Sequence, residues 1–385
     1  MNNKVKIIAA TLAVGMAATL AGCGGCGGCA GCNNNTSSST LTRSNWYTGT
    51  SYNGIQPSFI EGHEKFSKEE IVYDVTFDGS DAGNGYMTVD YKDGKFSTEF
   101  YAVRNWSSKI GSAIPEGFEP EKADEVVYYY RTELTISVQY TLKRGNKDKS
   151  DWFEDHMVTE SYFRAAGKSL QPVYSRQDIK STSPANYQPV TLQEAYQKIE
   201  KSYENFYNDR CSKVLSITYD ENGQESERKE YGKLNKLERT LFDNSSLYIA
   251  ARSLKLSSGL SESVNLFSAA AGSVSEYAIT GSGATLDSTD EKLEIKHISK
   301  ELQDKGLFIP TEDSEVVSTV AININYAGGN LHGTTQTVWY AALPSDDNAV
   351  NVSRATLLKL SIPISFSLGT LNYSLKEIKS TLWNG

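Results

Sequence analysis

Strict alternation of apolar and polar side chains over residues 134–142 constrains the fold more than any other feature of the sequence. The apolar side chains are those of Leu134, Ile136, Val138, Tyr140 and Leu142, and the residues between them are Thr135, Ser137, Gln139 and Thr141. Successive side chains of a β-strand point to opposite faces, so as a strand this segment has one apolar and one polar face. The pattern predicts an antiparallel strand that is buried on one side only.

Comparable strand patterns recur along most of the chain, and turn residues separate them. Asp93-Gly94 and Asn222-Gly223 are dipeptides typical of tight hairpin turns. The chain lacks the regular alternation of strands and helices that is typical of parallel sheets. We therefore expect a mainly β fold, either a large curved antiparallel meander or a half-barrel, with one or two covering helices.

One longer segment carries a helical pattern. Thr191 and Glu194 match a capping box, and the apolar residues between 192 and 206 recur at helical spacing. These signals predict an amphipathic helix over 191–210 that covers the sheet. The predicted layout of the folded body is an N-terminal β-rich lobe over 59–190, this helix, and a C-terminal β-rich lobe over 211–385, with a single domain over 59–385 as the alternative.

The N-terminus has the three parts of an export signal. Lys4 and Lys6 are followed by an uncharged run over 7–20 and by small residues. The run is shorter than the roughly 20 apolar residues that a membrane-spanning helix needs. The junction Leu20-Ala21-Gly22-Cys23 resembles the lipobox of bacterial lipoprotein signal peptides. This resemblance implies a signal peptide over 1–22, a diacylglyceryl group on Cys23, and a flexible polar linker over 23–58.

Lipidation of Cys23 implies both a location and a partner. Each buried CH₂ group contributes about 0.8 kcal/mol, and two acyl chains hold a protein at a membrane more stably than one. We therefore expect the chain to be anchored to the cell membrane through Cys23, facing outside the cytoplasm, with membrane lipid as its partner. The formal charge of −9 argues against a nucleic-acid partner, which would require a basic surface.

Three further cysteines follow the lipobox at three-residue intervals. Together with Cys23, the residues Cys26, Cys29 and Cys32 look like a metal-ligand array. In the cysteine motif of bacterial ferredoxins, however, three residues separate the last two cysteines and a proline follows, whereas here two residues separate them and no proline follows. The glycines between them make the chain flexible. We interpret these cysteines as spare thiols in the linker or as sites of further acylation or cross-linking, and we predict no metal and no cofactor. The remaining Cys211 is expected to be a small buried residue.

Catalytic candidates are few. Glu154, Asp155 and His156 are adjacent, and on a strand Glu154 and His156 share a face, as a general acid–base pair or two metal ligands would. The segment follows a charged turn, where carboxylates usually face water. The sequence lacks the nucleophile elbow, the zinc-protease motif and the phosphate-binding loop. We therefore expect no catalysis, and keep a cell-envelope hydrolase that uses these residues as an alternative.

Aromatic side chains are the candidates for ligand binding, because their rings can stack on sugars or peptides. The candidate residues are Trp46, Tyr47, Tyr128, Tyr130, Trp339 and Tyr340. On a strand Tyr128 and Tyr130 share one face and Tyr129 takes the other. The leading hypothesis is a non-catalytic ligand-binding or scaffold role. A lipid carrier with an apolar cavity is the second alternative to it.

Two motifs in the body resemble those of a family of exported bacterial proteins with curved β-sheets and unknown function. The first is Leu170–Ser175, which follows the pattern l-x-P-l-y-S, and the second is Asp243–Leu254, which follows D-x-x-S-x-x-y-x-x-R-x-L. The resemblance implies a β-meander and no known reaction. The second motif also predicts a short helix that begins near Asn244 or Ser245 and ends near Gly259.

Overall fold

A computed structural model describes most of the chain after residue 65. The described residues are 66–79, 83–120, 125–144, 148–166, 169–232, 234, 241–252, 254, 259–281, 292–294, 316–326, 335–341 and 356–383. The predictions for the signal peptide, Cys23, the three linker cysteines, Trp46 and Tyr47 lie outside these residues.

The described part of the chain forms sixteen strands and two short α-helices. The first half contains β1 Phe66–Gly79, β2 Met87–Arg104, β3 Val126–Leu142, β4 Phe153–Ala166, β5 Ser169–Pro184, α1 Leu192–Ala195, β6 Tyr196–Tyr207, β7 Lys213–Tyr219 and β8 Glu225–Gly232. The second half contains β9 Leu241–Asp243, α2 Leu247–Ala251, β10 Ser261–Ser268, β11 Ser273–Gly281, β12 Lys292–Glu294, β13 Val316–Tyr326, β14 Gln336–Ala341, β15 Leu357–Ile364 and β16 Gly369–Trp383. In this part of the chain, no helix has the length and apolar character needed to cross a bilayer.

The strands form one curved sheet with the order β8-β7-β6-β5-β4-β3-β2-β1-β16-β15-β14-β13-β11-β10-β9, and β12 pairs with β13 outside this path. Neighbours are antiparallel, except that β9 and β10 are parallel. No described residues of β8 and β9 pair with each other, so the sheet stays open. Its two ends nevertheless come close, because the Tyr231 ring centroid of β8 lies 5.3 Å from that of Phe267 in β10. The predicted mainly β, curved antiparallel fold is confirmed.

The predicted amphipathic helix over 191–210 is wrong. The helix α1 spans only Leu192–Ala195, and β6 follows at once and pairs with β5 and β7. All five residues from Tyr203 to Tyr207 are buried, because this part of β6 is covered on both faces. A strand buried on both faces loses the alternating pattern that identifies a strand in sequence.

The two predicted hairpin turns have different outcomes. Asn222-Gly223 does connect β7 to β8, with Gly223 at φ +74°. Asp93-Gly94 instead lies within β2, where the register with β3 shifts between Lys92 and Lys95. Asp93 has a φ of +54°, so the left-handed conformation predicted for a turn is used here in a β-bulge.

The concave face of the sheet is filled by a segment of the chain itself, residues 243–252 and 254, which we call the core segment. Every residue of α2 within it is at most 3% exposed. The Asp243 side chain accepts a hydrogen bond from the Ser245 N–H and caps the 3₁₀ turn that precedes α2. Helical structure therefore begins near the predicted position, with the 3₁₀ turn at Asn244, but its cap is Asp243, and α2 spans only Leu247–Ala251 and does not extend to near Gly259.

A second, smaller apolar cluster lies on the outer face of the sheet. Residues 105–120, which we call the strap, cross this face and bury Trp106 and Phe118 against a row of aromatic side chains. The Trp106 ring centroid lies 6.2 Å from that of Tyr162 on β4. Ser112 of the strap donates a hydrogen bond to the buried carboxylate of Glu204 on β6. The strap is the cover that buries β6 from outside.

Candidate functional site

The three catalytic candidates lie on opposite faces of β4. Glu154 and His156 are exposed on the outer face, whereas Asp155 is fully buried on the inner face. His156 Nε2 lies 2.9 Å from Glu133 Oε1, so its partner comes from β3 and is not Glu154. Asp155 and His156 therefore cannot act together on one substrate atom.

Asp155 is held by the neighbouring strand. The backbone N–H of Thr182 donates to its Oδ1 at 2.8 Å, and the Ser181 hydroxyl donates to its Oδ2 at 3.3 Å. Burial raises the pKa of Asp155 to about 7, because removal from water disfavours the charged carboxylate. His156, the one histidine among the described residues, is on the other side of the sheet, so no described histidine serves Ser181 as a base.

Most aromatic candidates contribute to the protein core. Tyr130 and Tyr340 are buried, and the Tyr340 hydroxyl donates to the backbone carbonyl of Tyr248 at 2.8 Å. Tyr128 is half-buried and stacks on Phe100. Trp339 is also half-buried, and the Lys359 ammonium lies 4.8 Å from its ring centroid. Their roles as ligand-binding residues stay predictions.

The two family-like motifs meet inside the protein. The Ser175 hydroxyl of the first motif donates to Asp243 Oδ2 of the second at 2.6 Å, and Tyr207 donates to the same oxygen. At the other end of the second motif, Arg252 forms a bidentate ion pair with Glu69 of β1 at 2.6 and 3.2 Å. Burial lowers the pKa of Arg252, but the Glu69 carboxylate raises it more, so the guanidinium stays charged. These motif residues attach the core segment to the wall of the sheet.

A cluster of aromatic side chains that the sequence reasoning missed lies at one end of the sheet, where β1, β3, β5 and β15 end. We call Tyr86, Tyr187 and Phe366 the aromatic rim; Trp152 lies outside it, because the next residue, Phe153, pairs with Val138 within β3. Trp152 is 40% exposed and Tyr187 is 47% exposed, which is unusual for side chains of this size. The Tyr187 ring centroid lies 6.0 Å from that of Tyr86 on one side and 6.0 Å from that of Phe366 on the other.

The backbone around the rim is held in place. The Asn84 side chain donates to the Tyr187 carbonyl at 2.8 Å and accepts from the N–H groups of Tyr86 and Met87 at 3.0 Å. Phe366 has a φ of +63°, a left-handed conformation that is strained for a bulky side chain. Strained residues of this kind persist where the surroundings hold them, and they concentrate at functional sites.

One cation contacts the rim: the Arg144 guanidinium carbon lies 4.1 Å from the ring centroid of Tyr86. The Lys92 ammonium lies 4.2 Å from the ring centroid of Trp152, outside the rim. Arg144 is exposed, and neither cation forms an ion pair with a described residue. Trp152 and Tyr187 stand in polar segments between strands, where strand packing does not account for an aromatic side chain. That placement is the sequence signal that would have found them.

A shallow cleft of about 230 Å³ on the outer face is a weaker candidate. Its lining includes Glu70, Glu99, Arg131 and Glu377. Lys68 pairs with both Glu70 and Glu99, and Arg131 pairs with Glu133 at 2.9 Å. Because these charges neutralise one another, little of the cleft's polarity is left for a ligand.

The described residues contain no group of three or more His, Cys, Asp or Glu side chains arranged to hold a metal ion. Cys211 is buried, as predicted, and its thiol donates to the Pro172 carbonyl at 3.4 Å. Burial raises the pKa of this thiol to about 12, so it is unreactive as a nucleophile.

Comparison with known proteins places the chain near one solved structure. No protein-family model matches the sequence, and no curated protein matches it. The chain is similar to the β-barrel-like protein of the domain of unknown function DUF1849 from Brucella abortus. The two sequences are 10% identical, the similarity covers 81% of this chain and 97% of that one, and the TM-score is 0.39.

Proposed function

We propose that this chain is a lipid-anchored extracytoplasmic bacterial protein with a non-catalytic ligand-binding role. The observation that carries the binding role is the exposed aromatic rim at the end of a sheet whose concave face is already filled by the core segment. The anchor rests on the export signal and the lipobox-like junction ending at Cys23.

The path of the chain from the anchor favours a rim that faces away from the membrane. The linker enters β1 at Phe66, whereas the rim lies at the Gly79 end of this strand. At about 3.3 Å per residue, the fourteen residues of β1 separate these ends by roughly 46 Å. A chain attached at the Phe66 end of β1 therefore leaves the rim at the far end of this strand.

The two alternatives have less support. A hydrolase that combines Asp155 with His156 conflicts with their positions on opposite faces of β4. One that combines Glu154 with His156 has both residues on the outer face, but the carboxylate that contacts His156 is that of Glu133, at 2.9 Å. A lipid carrier requires a large apolar cavity, and in the described part of the chain the concave face packs against the core segment. Neither alternative is favoured by an observation of its own.

The anchor is tested by replacing single cysteines in the full-length gene. We expect Cys23→Ser to abolish lipidation and removal of residues 1–22, because the resemblance makes this sulfur the acceptor of the diacylglyceryl group. Cys26→Ser is the matched control, since it removes a thiol three positions away. Mass spectrometry of the N-terminal peptide measures both effects, through the added mass on residue 23 and the presence or absence of residues 1–22.

Three results would contradict the anchor. They are a native chain that still begins at Met1, an unmodified thiol at Cys23, and a Cys23→Ser variant from which residues 1–22 are removed as in the wild-type chain. Equal loss of lipid in Cys23→Ser and Cys26→Ser would also contradict it, because the two sulfurs would then be equivalent.

A further inference from the structure

We infer that the aromatic rim binds a saccharide that carries a carboxylate group, an inference that deepens the proposed binding role and rests on it. The rim combines an exposed ring and a stacked guanidinium in one place. Each of these two features matches one chemical property of an acidic sugar.

The exposed ring is the first feature. Tyr187 lies between Tyr86 and Phe366, which fix its position while leaving 47% of the side chain exposed. The face of an aromatic ring carries partial negative charge, so it attracts the polarised C–H groups of a pyranose ring. A tyrosine also has only two side-chain torsions, so little conformational entropy is lost when a ligand stacks on it.

The second feature is an arginine beside Tyr86, the ring next to Tyr187. The Arg144 guanidinium stacks on Tyr86, with 4.1 Å between its carbon atom and the ring centroid. Stacking occupies the face of the guanidinium and leaves the N–H groups at its edge available. Because Arg144 forms no ion pair with a described residue, these N–H groups can bind a carboxylate with two parallel hydrogen bonds.

The surrounding charges favour a small acidic unit over an anionic membrane. The described residues of the β3–β4 connection carry both signs of charge, because Lys143, Arg144 and Lys149 are exposed and so are Asp148 and Asp151. Binding to an anionic bilayer needs a cluster of basic residues, which this mixed surface does not provide. A single guanidinium beside an aromatic face suits one carboxylate on a sugar ring.

The test uses polygalacturonate, a polymer of an acidic sugar, immobilised in a native gel. The full-length protein in mild detergent is run through it and through a gel that holds the same polymer with its carboxylates reduced to alcohols. We expect retardation by polygalacturonate and at least about tenfold weaker retention on the reduced polymer, the order of effect of losing one central contact.

Three variants locate the binding site. We expect Tyr187→Ala and Arg144→Gln each to weaken retention at least about tenfold. Arg104→Gln is the matched control, because Arg104 is an exposed arginine at the opposite end of β2. We expect it to behave as the wild-type chain. Near-UV circular dichroism of each variant verifies that the fold is intact.

Several outcomes would overturn the inference. They are no retardation of the wild-type chain, equal retention on the two polymers, unchanged retention of Tyr187→Ala, and equal losses in Arg144→Gln and Arg104→Gln. A membrane-binding rim is examined with a chain that starts after Cys23, and so carries neither the lipid nor residues 1–22, and with vesicles of phosphatidylcholine with phosphatidylglycerol. Sedimentation with these vesicles that Tyr187→Ala abolishes would assign the rim to lipid and overturn the saccharide. Because retention is measured in detergent, its failure leaves the anchoring result at Cys23 unaffected.

Discussion

The ion pairs on the inner and outer faces of the sheet differ in burial and in the residues that they connect. On the inner face, Glu69 of β1 pairs with Arg252 of the core segment, 183 positions away, and both side chains are at most 7% exposed. On the outer face, His156 pairs with Glu133 of the adjacent strand, and their side chains are 47% and 34% exposed. The inner pair joins distant parts of the chain, and the outer pair joins neighbours that the sheet already holds together.

Burial explains why removing one member of these two pairs should change the free energy of unfolding by different amounts. A charge removed from water is strongly unfavourable unless its partner is present, so deleting one member of a buried pair leaves a large penalty. An exposed charge is solvated with or without its partner, and measured exposed pairs contribute about 0–1 kcal/mol. The comparison predicts that inner substitutions change stability strongly and outer ones weakly.

The largest expected effect is that of Arg252→Met. We expect it to lower the free energy of unfolding by about 3–5 kcal/mol, because the Glu69 carboxylate is left buried without its partner. Urea denaturation measures the loss. Lys376→Met is the matched control, since Lys376 pairs with Asp74 and both side chains are 58% exposed. Its effect should stay below about 1 kcal/mol.

A double variant separates charge from packing at this site. Glu69→Leu combined with Arg252→Met removes both charges, and we expect it to recover part of the stability lost in Arg252→Met. If the double variant is as unstable as the single one, the loss reflects packing of the arginine stem and not an unpaired carboxylate. That result would contradict the comparison of the two faces.

The sequence predicts the wall of the sheet better than its two covered regions. Alternation over 134–142 identifies β3, which has one face against the core and one towards solvent. Near Tyr203 the strap covers the outer face, both faces of β6 are buried, and the apolar residues resemble a helical stripe. Period-2 alternation appears only where one face of a strand meets water, so it fails beneath a cover.

The candidate site is harder to predict for a related reason. Many aromatic residues lie within strands and belong to the core, as Tyr130 and Tyr340 do. The sequence alone therefore does not distinguish the few exposed aromatic residues from the many buried ones. Tyr86, Tyr187 and Phe366 come from three separate connections and meet only because β1, β5 and β15 end at the same edge. No local pattern reports that proximity.

Two aspartates on opposite faces of the sheet should respond to pH in opposite ways. Burial raises the pKa of Asp155 to about 7, so the folded protein holds its proton over a pH range where the unfolded chain, with a pKa near 4, has released it. Asp155 therefore makes stability fall as pH rises from about 4 to 7. We expect Asp155→Asn to remove this dependence and to stabilise the protein at pH 8 by about 2 kcal/mol, measured by urea denaturation.

Asp178 on the outer face should show the opposite sign. Burial raises its pKa, but hydrogen bonds from Arg176 and Ser202 lower it more, so the net pKa is below its ordinary value. Its contribution to stability is present above the unfolded pKa and is lost as pH falls. Asp178→Asn should therefore destabilise the protein at pH 7 and have less effect at pH 3. Equal pH profiles for the two variants would contradict the assignment of the two faces.

The smallest expected effect concerns the exposed pair of Glu133 and His156. A double-mutant cycle with Glu133→Gln and His156→Gln at pH 6 should give a coupling of about 0.5 kcal/mol at low salt. In 1 M NaCl the Debye length falls to about 3 Å, so this coupling should vanish, whereas the coupling of Glu69 with Arg252 should persist because water and ions do not reach it. If the coupling of Glu133 with His156 did not depend on salt, their surroundings would exclude solvent, as those of a catalytic acid–base pair do. That result would support catalysis on the outer face.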